Sequence, residues 1–287
     1  MNVLDIFYQF PTEEKCIEHL ESVRWGDDPC CPHCASVDVA RKQDGNRVGR
    51  WNCHGCNNSF NVLSGTFLCK TRMPLQKWFM LIGLMVNAKK SLSSHQAARD
   101  LNITQPTALS MQHRIRAAMM DNSQKTILTG VVEVDETYVG GKPRKTNKCK
   151  PRTPSKRGRG TTKTAVIGAV ERGGKVVAQV ATDLVRFLKS SVNPQGTLLI
   201  TDEYPGYRSA HRTYTHSVVN HARNYVEGFV HTNSIEGFWA LVKRAWYGTH
   251  HHYSRELMPL FIAEQCWKYN HRDSKNAFGQ FIKSAIR

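Results

Sequence analysis

The sequence predicts a multi-domain α+β protein: an N-terminal zinc β-ribbon, a helix-turn-helix-like helical segment and a C-terminal α/β domain. Two C-x-x-C knuckles, Cys31-Pro-His-Cys34 and Cys53-His-Gly-Cys56, stand 18 residues apart, the spacing of a ribbon that holds one tetrahedral ion. Apolar residues recur at helical spacing as far as Met120. After Gly130 the texture changes to short β-branched runs, and from Asn233 it returns to helix. A chain of 287 residues, 40% of them hydrophobic, is long enough for two or three domains with a substantial core in the largest.

Residues 1–24 read as a helical lead-in, with Cys16, Ile17, Leu20 and Val23 on one face. Residues 25–70 form the ribbon, with Asp44-Gly45-Asn46 as a hairpin-turn signal between the knuckles. A redox pair needs only one C-x-x-C, so Cys31, Cys34, Cys53 and Cys56 are read as ligands of a structural Zn²⁺ with no open coordination position. His33 and His54 then stand outside the ligand set.

The span 71–125 is read as helix-turn-helix-like. Leu75 to Ala88 is apolar and helical, and Ser93 or Ser94 caps a short helix through Leu101. Asn102-Ile103-Thr104 turns the chain, and Pro106 suits the start of a helix running to Met120. On that last helix Gln105, Thr107, Ser110, His113 and Arg114 are candidates to read bases in a major groove. The plainer alternative is a helical hairpin that only packs the ribbon against the core.

The C-terminal domain spans 126–287. Strands are expected at Val131 to Val139, Thr164 to Glu171, Lys175 to Thr182 and Thr197 to Thr201, with a helix between the last two. A helix from Asn233 carries Ile235, Trp239, Val242 and Trp246 as one apolar stripe, and another covers residues 255–270.

Within this domain, residues 142–163 hold ten Lys or Arg and no acid, a large share of the chain's net charge of +17. Such a segment cannot pack and favours a polyanionic partner, with Lys142, Arg144, Lys145, Lys156, Arg157 and Arg159 as candidate phosphate contacts. No stretch reaches the ~18 apolar residues that span a bilayer, so no membrane partner is expected. The five cysteines outside the knuckles are scattered and fit a reducing compartment, which with the absence of a basic leader predicts a cytoplasmic protein.

Two acidic residues sit where apolar strands stop: Asp135 in Val131-Val-Glu-Val-Asp135 and Asp202 in Leu198-Leu-Ile-Thr-Asp202. Carboxylates there face the edge of a sheet, where ligands and metals bind, although each is also an ordinary turn or cap residue. Alternation places Glu133 on the face of Asp135, as a reserve candidate, and sends Glu136 to the other. Asn233-Ser-Ile-Glu236 reads as a helix start with Asn233 as cap, yet Glu236 and Lys243 also fall about 20° apart on one helix face. A carboxylate with a cation two turns along fits a site for both metal and phosphate.

Taken in order, these residues resemble the DDE transposases of the RNase H-like superfamily. Asp202 and Glu236 are 34 positions apart, and the glutamate is followed seven residues later by Lys243. His231-Thr-Asn-Ser-Ile-Glu-Gly-Phe-Trp-Ala-Leu-Val-Lys243, together with Val132-Glu-Val-Asp-Glu-Thr-Tyr-Val-Gly-Gly141, is similar to the ISXO-like insertion-sequence group with an N-terminal zinc ribbon. The resemblance implies an RNase H-like catalytic domain in which Asp135, Asp202 and Glu236 hold Mg²⁺ or Mn²⁺. It implies cleavage at the element's ends and strand transfer into target DNA, and assembly of a homo-oligomer on that DNA. It also implies a phosphate contact for Lys243 and a place beside the DNA for Asn233, the alternative third ligand. The rival readings are a zinc-ribbon DNA-binding regulator without catalysis and an RNase H-like nuclease without strand transfer.

Overall fold

The computed structural model describes residues 1–42, 48–123, 126–140, 163–181, 183–219 and 230–286. The chain divides into two compact units, Met1–Asn122 with Asp273–Arg287, and Ser123–Arg272. The span expected as 126–287 is thus divided at Arg272, its last 15 residues belonging with the N-terminal unit.

The lead-in of the first unit is two helices, α1 (Val3–Gln9) and α2 (Glu13–Trp25). Asn2 and Asp5 form a reciprocal capping box on α1, and the Thr12 hydroxyl accepts from Lys15 N at the start of α2. The ribbon is a three-stranded antiparallel sheet, β1 (Val39–Arg41), β2 (Arg50–Cys53) and β3 (Ser59–Asn61), in that order. The expected turn at Asp44-Gly45-Asn46 lies outside the described residues, although the pairing of Arg41 with Trp51 fixes the register on either side.

Next come α3 (Leu75–Asn87), α4 (Ser94–Leu101) and α5 (Gln105–Ser123). Pro74 has no side-chain cap to offer α3, and Glu13 supplies one by accepting from Leu75 N at 2.8 Å. Ser93 caps α4, which ends at Asn102 in the left-handed conformation, φ 49°. Helix α3 is buried nearly all round; at Gly83 a Cβ would collide with Ile6, so glycine permits the close approach of α1. A helix absent from the sequence expectations, α9 (Ala277–Ala285), packs on α3 and α2 through Phe278, whose ring lies 5.4 Å from Phe79 and 6.0 Å from Phe10.

The second unit is built on a five-stranded mixed sheet in the order β6-β5-β4-β7-β8. Its strands are β4 (Leu128–Val139), β5 (Thr164–Glu171), β6 (Val176–Val180), β7 (Val192–Asp202) and β8 (Thr215–Val219), the last not expected from sequence. Central β4 runs antiparallel to β5 and parallel to β7. Helix α6 (Leu184–Ser191) precedes β7 directly, as expected, and α7 (Asn233–Arg244) and α8 (Met258–Asn270) follow the sheet. One sheet face buries Val139, Val166 and Val176 against Ile235, Phe238, Trp239 and Phe261 of α7 and α8. The opposite face buries Val132, Val134 and Leu199 against Phe187 and Leu188 of α6 and against Tyr207. The basic segment 142–162, and with it Lys142, Arg144, Lys145, Lys156, Arg157 and Arg159, lies outside the described residues. Among the described residues no helix is long and apolar enough to cross a membrane.

Candidate active site and metal centre

The knuckle sulfurs converge. All four ligand atoms of Cys31, Cys34, Cys53 and Cys56 lie within 4.8 Å of one another. The Cys31–Cys56 and Cys34–Cys53 Sγ separations are 3.7 and 3.5 Å. A tetrahedral ion with Zn–S bonds near 2.3 Å needs sulfur–sulfur edges of about 3.8 Å, so the residues fit zinc. The main-chain amide of Asn58 brings the Cys56 thiol down to about 7, while against a main-chain hydrogen bond at Ser36 the neighbouring thiols, Cys53 foremost, push that of Cys34 up to about 12. Trp25, Trp51 and Phe60 pack beneath Cys31 and Cys53, while His33 and His54 are exposed and stand outside the ligand set.

The acidic residues meet where the parallel pairing of β4 with β7 ends; Asp202 closes β7 as expected, whereas Asp135 does not end its strand, since β4 continues beside β5 to Val139. Val134 of β4 is in register with Thr201 of β7, so Asp135 and Asp202 follow side by side and, by alternation, share the α7 face of the sheet. Burial pushes the Asp135 carboxyl up to about 6; the negative charges of Asp202 and Glu236 push the same way, against hydrogen bonds from Glu136 N and Trp239 Nε1. The charge of Glu236, an exposed residue of α7, is thus felt at Asp135 as the weakest of these influences. The indole donor reaches Asp135 Oδ2 at 3.1 Å because Gly168, paired with Asp135 across the sheet, has no Cβ; one built there would lie 2.7 Å from the Trp239 ring. Tyr204 N donates to Asp202 Oδ1 at 3.2 Å and the Thr232 hydroxyl to Glu236 Oε1 at 3.2 Å. Among the described residues, the four cysteines are the one group of three or more His, Cys, Asp or Glu side chains placed to hold a metal ion as they stand.

Helix α7 begins differently from the expected capping box. Thr232 is the cap residue and makes no side-chain bond to the helix backbone; Asn233 is the first helical residue and is exposed. The missing acceptor is Glu133, one hundred residues earlier in the chain. Fully buried, it accepts from Ser234 N at 2.8 Å, Ile235 N at 3.1 Å and the Ser234 hydroxyl at 3.0 Å. Arg172 Nε pairs with it at 2.6 Å while donating through Nη2 to His231 O at 2.8 Å. Glu133 is therefore not a spare ligand but the anchor of the α7 N-terminus, placing negative charge where the helix dipole is positive. Lys243 projects as an exposed residue two turns beyond Glu236.

The helix expected to read bases is committed more deeply than its sequence suggested. Arg114 donates to Phe67 O and Cys69 O, both at 2.7 Å, and its guanidinium sits 5.1 Å from the Trp78 ring centroid. That side chain braces the loop before α3 rather than reaching outward. Gln105 donates to the Ser94 hydroxyl at 2.8 Å, and the Thr107 hydroxyl pairs with that of Thr104. His113 is half-buried, burial lowering its pKa, and Ser110 is exposed.

The ISXO2-like transposase domain matches residues 127–270, and the transposase zinc-ribbon domain matches residues 11–59. An uncharacterized protein in transposable element ISH50 of Halobacterium salinarum is 27% identical over 267 residues, covering 88% of this chain and 89% of that protein. Among solved structures the chain is similar to the Mos1 strand transfer complex at 12% identity and TM-score 0.30, covering 72% of this chain and 76% of that one. It is also similar to the mariner Mos1 paired end complex with Mg, at 12% identity and TM-score 0.25, with 99% and 96% coverage. The domain match spans half the chain and contains Asp135, Asp202 and the helix that carries Glu236, with the ribbon family matched upstream of it: the chain belongs to the ISXO2-like transposase family.

Proposed function

We propose that this protein is a DDE transposase that binds the ends of an insertion sequence, cleaves there and joins the freed strand to target DNA. The observation that carries the reading is the placement of Asp135 and Asp202 side by side on adjacent parallel strands, with the charge of Glu236 on α7 felt at Asp135. Like charges acting on a carboxylate whose ionisation burial already disfavours are unfavourable without a cation. Central β4, antiparallel to β5 and parallel to β7, supports the RNase H-like assignment of this unit.

Asp135, Asp202 and Glu236 would hold Mg²⁺ or Mn²⁺, which supplies activation of an oxygen nucleophile and neutralises charge at phosphorus. The protein's own part is placement. Trp239 and the Glu136 amide orient Asp135, Thr232 orients Glu236, and Glu133 sets where α7 meets the sheet. Lys243 would hold a phosphate beside the carboxylates. Zn²⁺ in the ribbon would be structural, since four thiolates close its coordination shell. DNA phosphates would be gripped by the basic segment, and two or more copies would assemble on paired ends.

Purified protein incubated with Mg²⁺ and duplexes carrying the element's terminal repeats tests this. Cleaved and joined products are expected on a denaturing gel. Asp135→Asn, Asp202→Asn and Glu236→Gln should each lower cleavage at least 10³-fold, about 4 kcal/mol of barrier, while binding in a mobility-shift assay stays within a fewfold. Specific binding without metal-dependent cutting would make the protein a regulator, and cutting without joined product would make it a nuclease. Loss of activity in Asn233→Ala but not in Glu236→Gln would move the third ligand to Asn233.

A further inference from the structure

Beyond the carboxylates, where β4 ends and α7 gives way to a π-helical turn at Ala245–His250, the second unit holds a cavity of about 420 Å³. Its wall includes five consecutive residues, the last four of β4, Glu136 to Val139, and Gly140 just beyond it, together with Lys163, Lys243, Trp246 and Tyr247. Side chains alternate across a strand, so a wall of five consecutive residues presents main-chain groups as well as side chains.

Trp246 is 3% exposed and is held by an edge-on contact with Tyr253 at 4.2 Å between centroids, which makes it a fixed floor. Tyr247 stands at the rim, 47% exposed. Seven and eleven residues separate Glu236 from Lys243 and Tyr247, both near whole turns of a helix, so carboxylate, cation and aromatic rim follow one another along one side of α7 and its extension. π-Helical insertions of this kind concentrate at functional sites.

The chemistry selects the occupant. Two lysines suit a phosphodiester, but an anion alone would leave the aromatic rim and most of the volume unused. A ring-sized group carrying donors and acceptors on its edge uses the tyrosine face and the strand's main chain as well. A duplex cannot enter such a cavity, whereas a single base taken out of the stack can. Resting on the transposase reading above, we infer that this cavity receives one unpaired nucleotide of the element's end. Its phosphate lies between Lys163 and Lys243 and its base lies against Tyr247, so the strand is drawn past the acidic residues.

The test uses the full-length protein, Ca²⁺ in place of Mg²⁺ to hold the complex before cutting, and terminal-repeat duplexes carrying 2-aminopurine at each position near the cut in turn. A fluorescence change confined to one position is expected; Tyr247→Ala should abolish it and Tyr247→Trp, which keeps a stacking face, should retain it. In Mg²⁺, Tyr247→Ala should cleave intact ends at least tenfold more slowly, and an abasic site at that same position should restore most of the rate, because no base then needs a stacking partner. A merely misfolded variant would not be rescued by a lesion in the DNA. Cleavage by the wild type with no position-specific signal, or with no abasic rescue of Tyr247→Ala, overturns the inference and leaves the transposase reading standing. A position-specific signal without any cleavage does the reverse, and absence of both overturns both.

Discussion

Asp135 is a carboxylate that burial and two neighbouring acids hold back from ionising, against hydrogen bonds from Glu136 N and Trp239 Nε1. Its pKa stands near 6 because of burial and of acids 67 and 101 positions later in the chain. The raised value has a definite sign. Between about 3.8 and 6 the folded, metal-free protein binds more protons at this group than the unfolded chain does, so stability falls as pH rises through that window. Divalent metal needs the carboxylate charged, so its affinity should run the other way and weaken below pH 6. Thermal melts with and without Mg²⁺ at pH 5.5 and 7.5 should show the larger metal-dependent rise at pH 7.5, and Asp135→Asn should remove most of the difference. From sequence Glu133 stands on the correct face as a reserve candidate beside Asp135; its place at the start of α7 is not legible there, because its partners Arg172 and Ser234 lie far along the chain. Glu133→Ala leaves Arg172, only 16% exposed, without its counter-charge and α7 without its cap. Breaking a buried pair costs about 3–5 kcal/mol, and an unfolding free energy from urea titration that changes by less than about a tenth of that would show the network to be idle. Glu133→Gln, which keeps an acceptor for Ser234 N, should lose less.

Among the elements, those with a local signal were legible and those defined by a remote partner were not. Ser93 and Asn102 bracket α4 as their cap chemistry requires, and the β-branched runs from Val131, Thr164 and Thr197 fall within strands. Arg114 on α5 misled for a physical reason: helical spacing does not say whether an arginine faces solvent or two carbonyls of a preceding loop. The start of α7 misled similarly, since Asn233 and Glu236 satisfy the capping pattern while the acceptor comes from the sheet. β8 is five residues long and partly exposed, too short for alternation to separate it from loop. Helix α9 did carry a stripe, Phe278, Phe281 and Ile282, and what it covers is Phe10 and Phe79 of the N-terminal unit. Deleting residues 273–287 should therefore destabilise the first unit by several kcal/mol, since each buried aromatic is worth about 2–3. Hydrogen exchange should show faster opening of α3 with the sheet of the second unit protected as before. Exposure of the second-unit sheet instead would mean that α9 stabilises the chain by another route.

At the scale of the whole molecule, charge and chemistry are divided along the chain. The net +17 is not spread evenly: ten of the 40 basic residues fall within residues 142–163, between the two strands that pair beside Asp135. Any DNA held by that segment is thereby held in the unit that carries the acidic residues. Ten like charges interspersed with Gly and Pro favour a polyanionic partner for this segment. There are two outcomes, a solvated excursion or an arm that engages phosphates, and ionic strength separates them. Each phosphate neutralised on duplex DNA contributes about −0.9 to the slope of log affinity against log salt, so engagement of half the segment contributes roughly 4 to 5 units. Replacing its Lys and Arg with Gln should flatten the measured slope by that amount while the ratio of affinities for element ends over random duplex stays within a fewfold. A slope that does not move makes the segment a bystander. A slope that holds while the preference for ends collapses would make it the reader of sequence, and α5, whose Arg114 is already committed to the protein's own main chain, would then be a packing helix.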